Sequence, residues 1–193
     1  MTEQDTGIPR VQNKVDGSMQ KRTFSNSIDE MNDELYEKII EIVSSCKDMA
    51  ISTVREDGWP QVNTVSFVNM GPDIYFETSR YTSKAKNIAH DPRVSIAIWP
   101  FYEDLLNGCG ISLAGYAEEV NDETVAREFH RRLLEKMPEL AKITYDGGDK
   151  VFPDPNTNLY HIRTTVMSIL DFSKGFGHTD LVLFDDNDSA NRE

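Results

Sequence analysis

The chain has 193 residues, 38% of them hydrophobic, which is enough to bury one substantial core and predicts a single folded domain. Its 33 acidic residues against 20 basic ones leave a formal charge of -13, which argues against a general role in binding nucleic acid or anionic membranes. Cys46 and Cys109 form no metal-ligand spacing, and no apolar run resembles a signal peptide or a membrane span, so a reducing cytoplasm is the expected location.

Residues 1–26 are polar and aperiodic and are expected to form a flexible arm, with the folded domain over 27–173 and a solvated, acidic tail over 174–193. Ser27 and Glu30 match a capping box, and Ile28, Met31, Leu35, Ile39 and Ile42 recur at helical spacing to about Cys46. Strands are expected at 49–56, 61–70 and 74–78, joined as a meander by the turns "DGWP" and "GPD". A short helix follows over 82–91, started by Thr82 or Ser83 and stopped at Asp91-Pro92. Strands at 93–99 and 110–120 come next. The following helix, capped by Asn121 or Asp122, carries Val125, Phe129, Leu133 and Met137 on one face. A Gly-, Pro- and Asp-rich loop at 146–158 leads to a closing strand at 159–172. Six strands without regular βαβ alternation predict a mainly β (α+β) fold, an antiparallel barrel with flanking helices.

The stretch "ETSRYTSKAKNI" from Glu77 to Ile88 gathers four hydroxyls (Thr78, Ser79, Thr82, Ser83) and three cations (Arg80, Lys84, Lys86) in an acidic chain. Hydroxyls, ammonium groups and free amides at a helix start suit a phosphate monoester, whose oxygens accept several hydrogen bonds. A helix cap flanked by solvated cations accounts for the same residues. No Walker or Rossmann glycine pattern is present.

The ordered words around this stretch favour the first reading. "AISTVREDGWP", "IYFETS", "SKAKNI" and "DPRVS", followed by "ISLAGYAEEV", resemble the pyridoxamine 5'-phosphate oxidase-like family of FMN-binding split barrels from residue 46 to 172. The resemblance implies a six-stranded split β-barrel that forms a homodimer with FMN at the subunit interface. It also implies that Thr78, Thr82, Ser83 and Lys84 hold the phosphate, that Asn63, Thr64, Val65 and Ser66 of the second strand lie along the isoalloxazine ring, and that Ser79 is a neighbour. The chemistry implied is hydride transfer between flavin N5 and a small organic substrate or reduced nicotinamide. The alternatives are a flavin-binding redox sensor or store without turnover, or a deazaflavin- or haem-binding relative. Two departures argue against a true vitamin B6 oxidase: Asn63 stands where those oxidases carry an arginine, and the chain after Phe172 lacks their Trp and Arg-x-His arrangement.

The four histidines form neither a catalytic triad nor a zinc motif, and no carboxylate pair or other catalytic side chain stands out. His161 is either a haem ligand or a strand histidine bonded to its neighbours. Trp59 and Trp99 either pack or stack near a flavin.

Overall fold

The structure, a computed structural model, describes residues 29–142 and 156–184. The expected N-terminal arm, Ser27, most of the 146–158 loop and the acidic chain end lie outside those residues. Helix α1 (Asp33–Ser45) starts later than the Ser27–Glu30 pair predicts, because Asn32 is its cap: Leu35 N donates to Asn32 Oδ1 at 2.9 Å. That bond satisfies one of the orphan amides of the first turn, where Asp33 and Glu34 also suit the positive helix end. The opposite face buries Leu35, Ile39, Ile42 and Val43.

Strand β1 (Asp48–Val54) pairs with β2 (Pro60–Ser66) across the predicted Asp57-Gly58 turn. Gly58 supplies the positive φ of 83° that the turn requires, and its amide donates to Arg55 O at 2.8 Å. The expected second strand over 61–70 is broken at Phe67, and its remainder, β3 (Val68–Met70), pairs with β4 (Asp73–Ser79). Helix α2 (Ser83–His90), β5 (Arg93–Ile98), β6 (Cys109–Glu119), α3 (Glu123–Lys136), β7 (Thr157–Asp171) and β8 (Thr179–Leu183) complete the order. The sheet runs β2-β1-β5-β6-β7-β4-β3 with every pair antiparallel, and β8 adds to β7.

Phe67 explains why this sheet is a barrel. The two ends of the path, β2 and β3, are consecutive in sequence, so the sheet must curl until they meet there. Phe67 is fully buried, its amide donates to Lys47 O at 3.2 Å, and Lys136 Nζ lies 4.0 Å over its ring. The same ammonium donates to Phe67 O and to Val43 O, each at 3.3 Å, which ties α1 and α3 to the break; burial pushes its pKa down to about 8. Strand β7 carries a bulge at Thr165, the extra residue opposite the Ala114–Gly115 step of β6, and there a Cβ on Gly115 would fall 2.3 Å from Arg163 O. The fold class is the antiparallel split barrel with flanking helices that the sequence predicts. The count is eight strands rather than six, because of the break at Phe67 and the addition of β8.

The interior of the barrel is filled by Met49, Ile51, Phe67, Ile74, Phe76, Ile96, Ile162 and Met167, with the apolar face of α1 packed against it. A second cluster forms where Phe129, Leu133 and Met137 of α3 and its cap meet Val68 and Leu159. Among the described residues no helix is long and apolar enough to cross a membrane.

Candidate functional site

Strand β4 delivers Thr78 to the barrel end and α2 begins five residues later, at Ser83. Thr82 is the N-cap of α2, as the sequence predicts: Ala85 N donates to its Oγ1 at 3.3 Å. The Thr82 hydroxyl donates in turn to Ser79 O at 2.9 Å and lies 3.3 Å from Thr78 Oγ1. Thr78 is buried, at 7% exposure, although its side chain is polar. Ser79, half-buried, accepts from Tyr81 N at 3.4 Å. These bonds bring Thr78, Ser79 and Thr82 together, with the half-buried Lys84 in the first turn of α2.

Charge pairing sets this corner apart. Arg55, Arg93, Arg127, Arg131, Arg132, Arg163, Lys38, Lys47 and Lys174 each lie within ion-pair distance of a carboxylate. Among the described residues no such pair involves Arg80, Lys84 or Lys86, the three cations of the quoted stretch. In a chain with 33 acids and 20 bases, unpaired cations gathered in seven residues are a local anion-attracting field.

The second-strand residues form a separate row. Thr64 is exposed, Val65 packs against the barrel core, and Ser66 donates to Asp48 Oδ1 at 2.7 Å. Asn63, opposite Ile51 in the β1 pairing, has a buried Oδ1 with no hydrogen-bond partner among the described residues. An acceptor left so is costly, and a donor from a bound group would satisfy it. This row approaches α2 through Gln61, whose Oε1 accepts from Asn87 Nδ2 at 2.9 Å. The same Asn87 amide donates to the fully buried Thr53 Oγ1 at 3.0 Å.

Ser83 departs from the expected cradle. Its side chain is exposed and lines, with Lys86, Asn87 and His90, a cavity of about 720 Å³ that Thr78, Thr82 and Lys84 do not line. Sequence reasoning missed this cavity and the Thr53–Asn87–Gln61 network beneath it. The available signal was the i, i+3, i+4, i+7 spacing of Ser83, Lys86, Asn87 and His90, which puts all four on one helix face.

Trp99 and His161 are engaged by their neighbours, whereas Trp59 is not buried. Trp99 lies against Gly110, where a Cβ would fall 2.1 Å from its ring, and meets Tyr102 and Phe172 edge-on at 5.9 and 6.4 Å. Trp59 stands exposed on the β1–β2 hairpin. His161 Nε2 is 3.5 Å from Asp73 Oδ1, and its ring is 4.8 Å from that of Tyr75. Among the described residues no group of His, Cys, Asp or Glu could hold a metal ion.

The family model described as pyridoxamine 5'-phosphate oxidase matches residues 35–169, which run from α1 through most of β7. The chain belongs to this family. No curated protein matches it. Among solved structures, a haem-binding protein from Mycobacterium smegmatis superposes with a TM-score of 0.63 at 20% identity, over 80% of this chain and 60% of that one. A conserved hypothetical protein from Mycobacterium tuberculosis gives 0.60 at 18% identity, over 82% and 95%. General Stress Protein 26 from Bacillus anthracis str. Sterne gives 0.55 at 22% identity, over 78% and 99%. These likenesses establish the split-barrel fold. The chain spans about 60% of the length of the haem-binding protein.

Proposed function

We propose that this member of the family is an FMN-binding oxidoreductase whose cofactor phosphate is held where β4 meets α2. The observation that carries the reading is the half-buried Lys84, in no ion pair among the described residues, in the first turn of the helix that Thr82 caps, with the Thr82 hydroxyl 3.3 Å from that of the buried Thr78. Thr78, Thr82 and Lys84 contribute two hydroxyls and an ammonium, and Ser83 and Lys84 contribute orphan first-turn amides. Ser79 lines the strand side. Asn63, Thr64, Val65 and Ser66 take the flavin ring, and the partnerless Asn63 Oδ1 accepts from one of its N–H or O–H groups. Bound FMN would supply the hydride chemistry at N5, and the chain's contribution is orientation and exclusion of water.

A homodimer fits this arrangement, since a site along the edge strand β2 is open on one side. It is supported by an apolar end of the molecule: Phe101, at 91% exposure, with Leu105, Leu106, Trp99 and Phe176 also exposed. Phe176 stacks on Phe172 at 5.1 Å, which continues the row from Trp99. Turnover of vitamin B6 phosphates is not part of the proposal, because Asn63 replaces the phosphate-binding arginine of those oxidases. The remaining substrate is a small organic molecule or a reduced nicotinamide, in a cytoplasmic setting.

Haem is the second reading, favoured by the structural likeness to the mycobacterial haem-binding protein. His161 would have to leave Asp73 and Tyr75 to serve as its ligand. The absorption spectrum of the freshly purified protein separates the readings. FMN gives paired bands in the blue and near ultraviolet, a deazaflavin a single band, and haem a Soret band. A Soret band that persists after gel filtration would overturn the flavin reading.

A further inference from the structure

The two halves of the flavin reading fall on different elements: the phosphate cradle at the start of α2 and the ring row, residues 63–66, on β2. A ligand that engages both at once needs them held at one separation. One side chain spans them. Asn87 Nδ2 donates to Thr53 Oγ1 at 3.0 Å and to Gln61 Oε1 at 2.9 Å. Thr53 and Gln61 stand opposite each other in the β1–β2 register, so a single amide grips both strands of that ladder. Asn87 comes three residues after Lys84, about 4.5 Å along the helix axis. Gln61 comes two residues before Asn63 on the same face of β2, about 7 Å along the strand. The clamp therefore lies between the cradle and the row.

The apolar contacts of α2 constrain it differently. Ala85 and Ile88 are buried, and Ile88 joins the main core cluster, which keeps the helix on the barrel. Such burial is non-directional and tolerates sliding, whereas a hydrogen bond weakens steeply with distance and angle. Burial sharpens the directional constraint here: Thr53 is 0% exposed and Asn87 9%, so a shift of α2 that broke the two bonds would leave buried polar groups without partners.

We infer that Asn87 is a positioning residue that sets the spacing between the phosphate cradle and the ring row, so that one flavin nucleotide engages both. The inference rests on the flavin reading and deepens it. Asn87 acts through Thr53, Gln61 and the first turn of its own helix, so its loss falls on a ligand long enough to span the two halves.

Titration of the wild-type chain, Asn87→Ala, Thr53→Val and Thr53→Ser with FMN and with riboflavin, which carries the ring but no phosphate, tests it through quenching of flavin fluorescence. The wild type is expected to prefer FMN about tenfold or more. Asn87→Ala is expected to lower FMN affinity about tenfold and to leave riboflavin affinity within about threefold, with Thr78, Thr82 and Lys84 all intact. Thr53→Val, which removes the hydroxyl acceptor, is expected to reduce the preference in the same direction, and Thr53→Ser, which keeps the hydroxyl, to retain it. A merely structural role would lower Tm without moving the ratio of the two affinities. An unchanged ratio in Asn87→Ala overturns the inference, as it does in Thr53→Val should the Asn87 variant fail to fold. Equal losses in Thr53→Val and Thr53→Ser overturn it too, as does equal wild-type affinity for FMN and riboflavin. Absence of wild-type FMN binding removes the flavin reading and this inference together, whereas FMN binding with a preference unmoved by Asn87→Ala removes the inference alone.

Discussion

Lys84→Ala is expected to lower FMN affinity about ten-fold to a hundred-fold, the equivalent of roughly 1.5–3 kcal/mol for one charge-assisted bond to phosphate. The side chain is half-buried beside the Thr78–Thr82 pair and makes no ion pair among the described residues, so its removal takes away no structural partner. The fold should therefore survive, with an unchanged far-ultraviolet circular dichroism spectrum. Lys86→Ala, on the other flank of α2, should change FMN affinity by less than about threefold. Quenching of flavin fluorescence measures both, and equal affinities for the two variants would return Thr82 and Lys84 to a capping role.

Phe129→Ala is expected to destabilise the protein by about 3–5 kcal/mol, a fall in Tm of roughly 6–20 °C for a domain of this size. Phe129 is fully buried at the centre of the outer cluster, between Leu133 and Met137 of α3 and its cap and the strand residues Val68 and Leu159. The loss extends past the cavity left behind, because α3 also clamps the strands. His130 Nε2 is 3.1 Å from Glu77 Oε2 on β4, and Lys136 holds the carbonyl at the Phe67 break. Urea unfolding followed by tryptophan fluorescence would measure the change. A loss below about 1 kcal/mol would mean that α3 is not integral to the barrel.

Local chemistry made much of this legible. Thr82 at the α2 cap, Asp57-Gly58 in the hairpin and the Phe129-Leu133-Met137 stripe each act within a few residues, and each appears in the structure where its pattern places it. The break at Phe67 was illegible because a buried phenylalanine in an alternating run is an ordinary strand residue. Only closure of the sheet on itself demands the interruption. The start of α1 was ambiguous in the sequence, since Ser27 and Asn32 are both competent caps and the described bond belongs to Asn32. Strand β8 rests on five residues next to an acidic stretch, too few to show a period, although "LVLF" was an available signal.

At the site, the clustering of hydroxyls and cations was readable, and its division between two flanks of α2 was not. Ser83 and Lys84 are adjacent in sequence yet serve different spaces, a consequence of helical pitch and of where the hairpin packs. The orphan Oδ1 of Asn63 was equally unreadable, because it depends on which neighbours surround β2 once the barrel has closed.

The central claim is that this split barrel binds FMN through the junction of β4 and α2. Titration of FMN with the wild-type chain, read as quenching of flavin fluorescence, tests it most directly. The account predicts saturable quenching at one FMN per chain, with inorganic phosphate competing at high concentration. No quenching at micromolar protein, or quenching left unchanged by the double substitution of Thr82 and Lys84 with Ala, would contradict it.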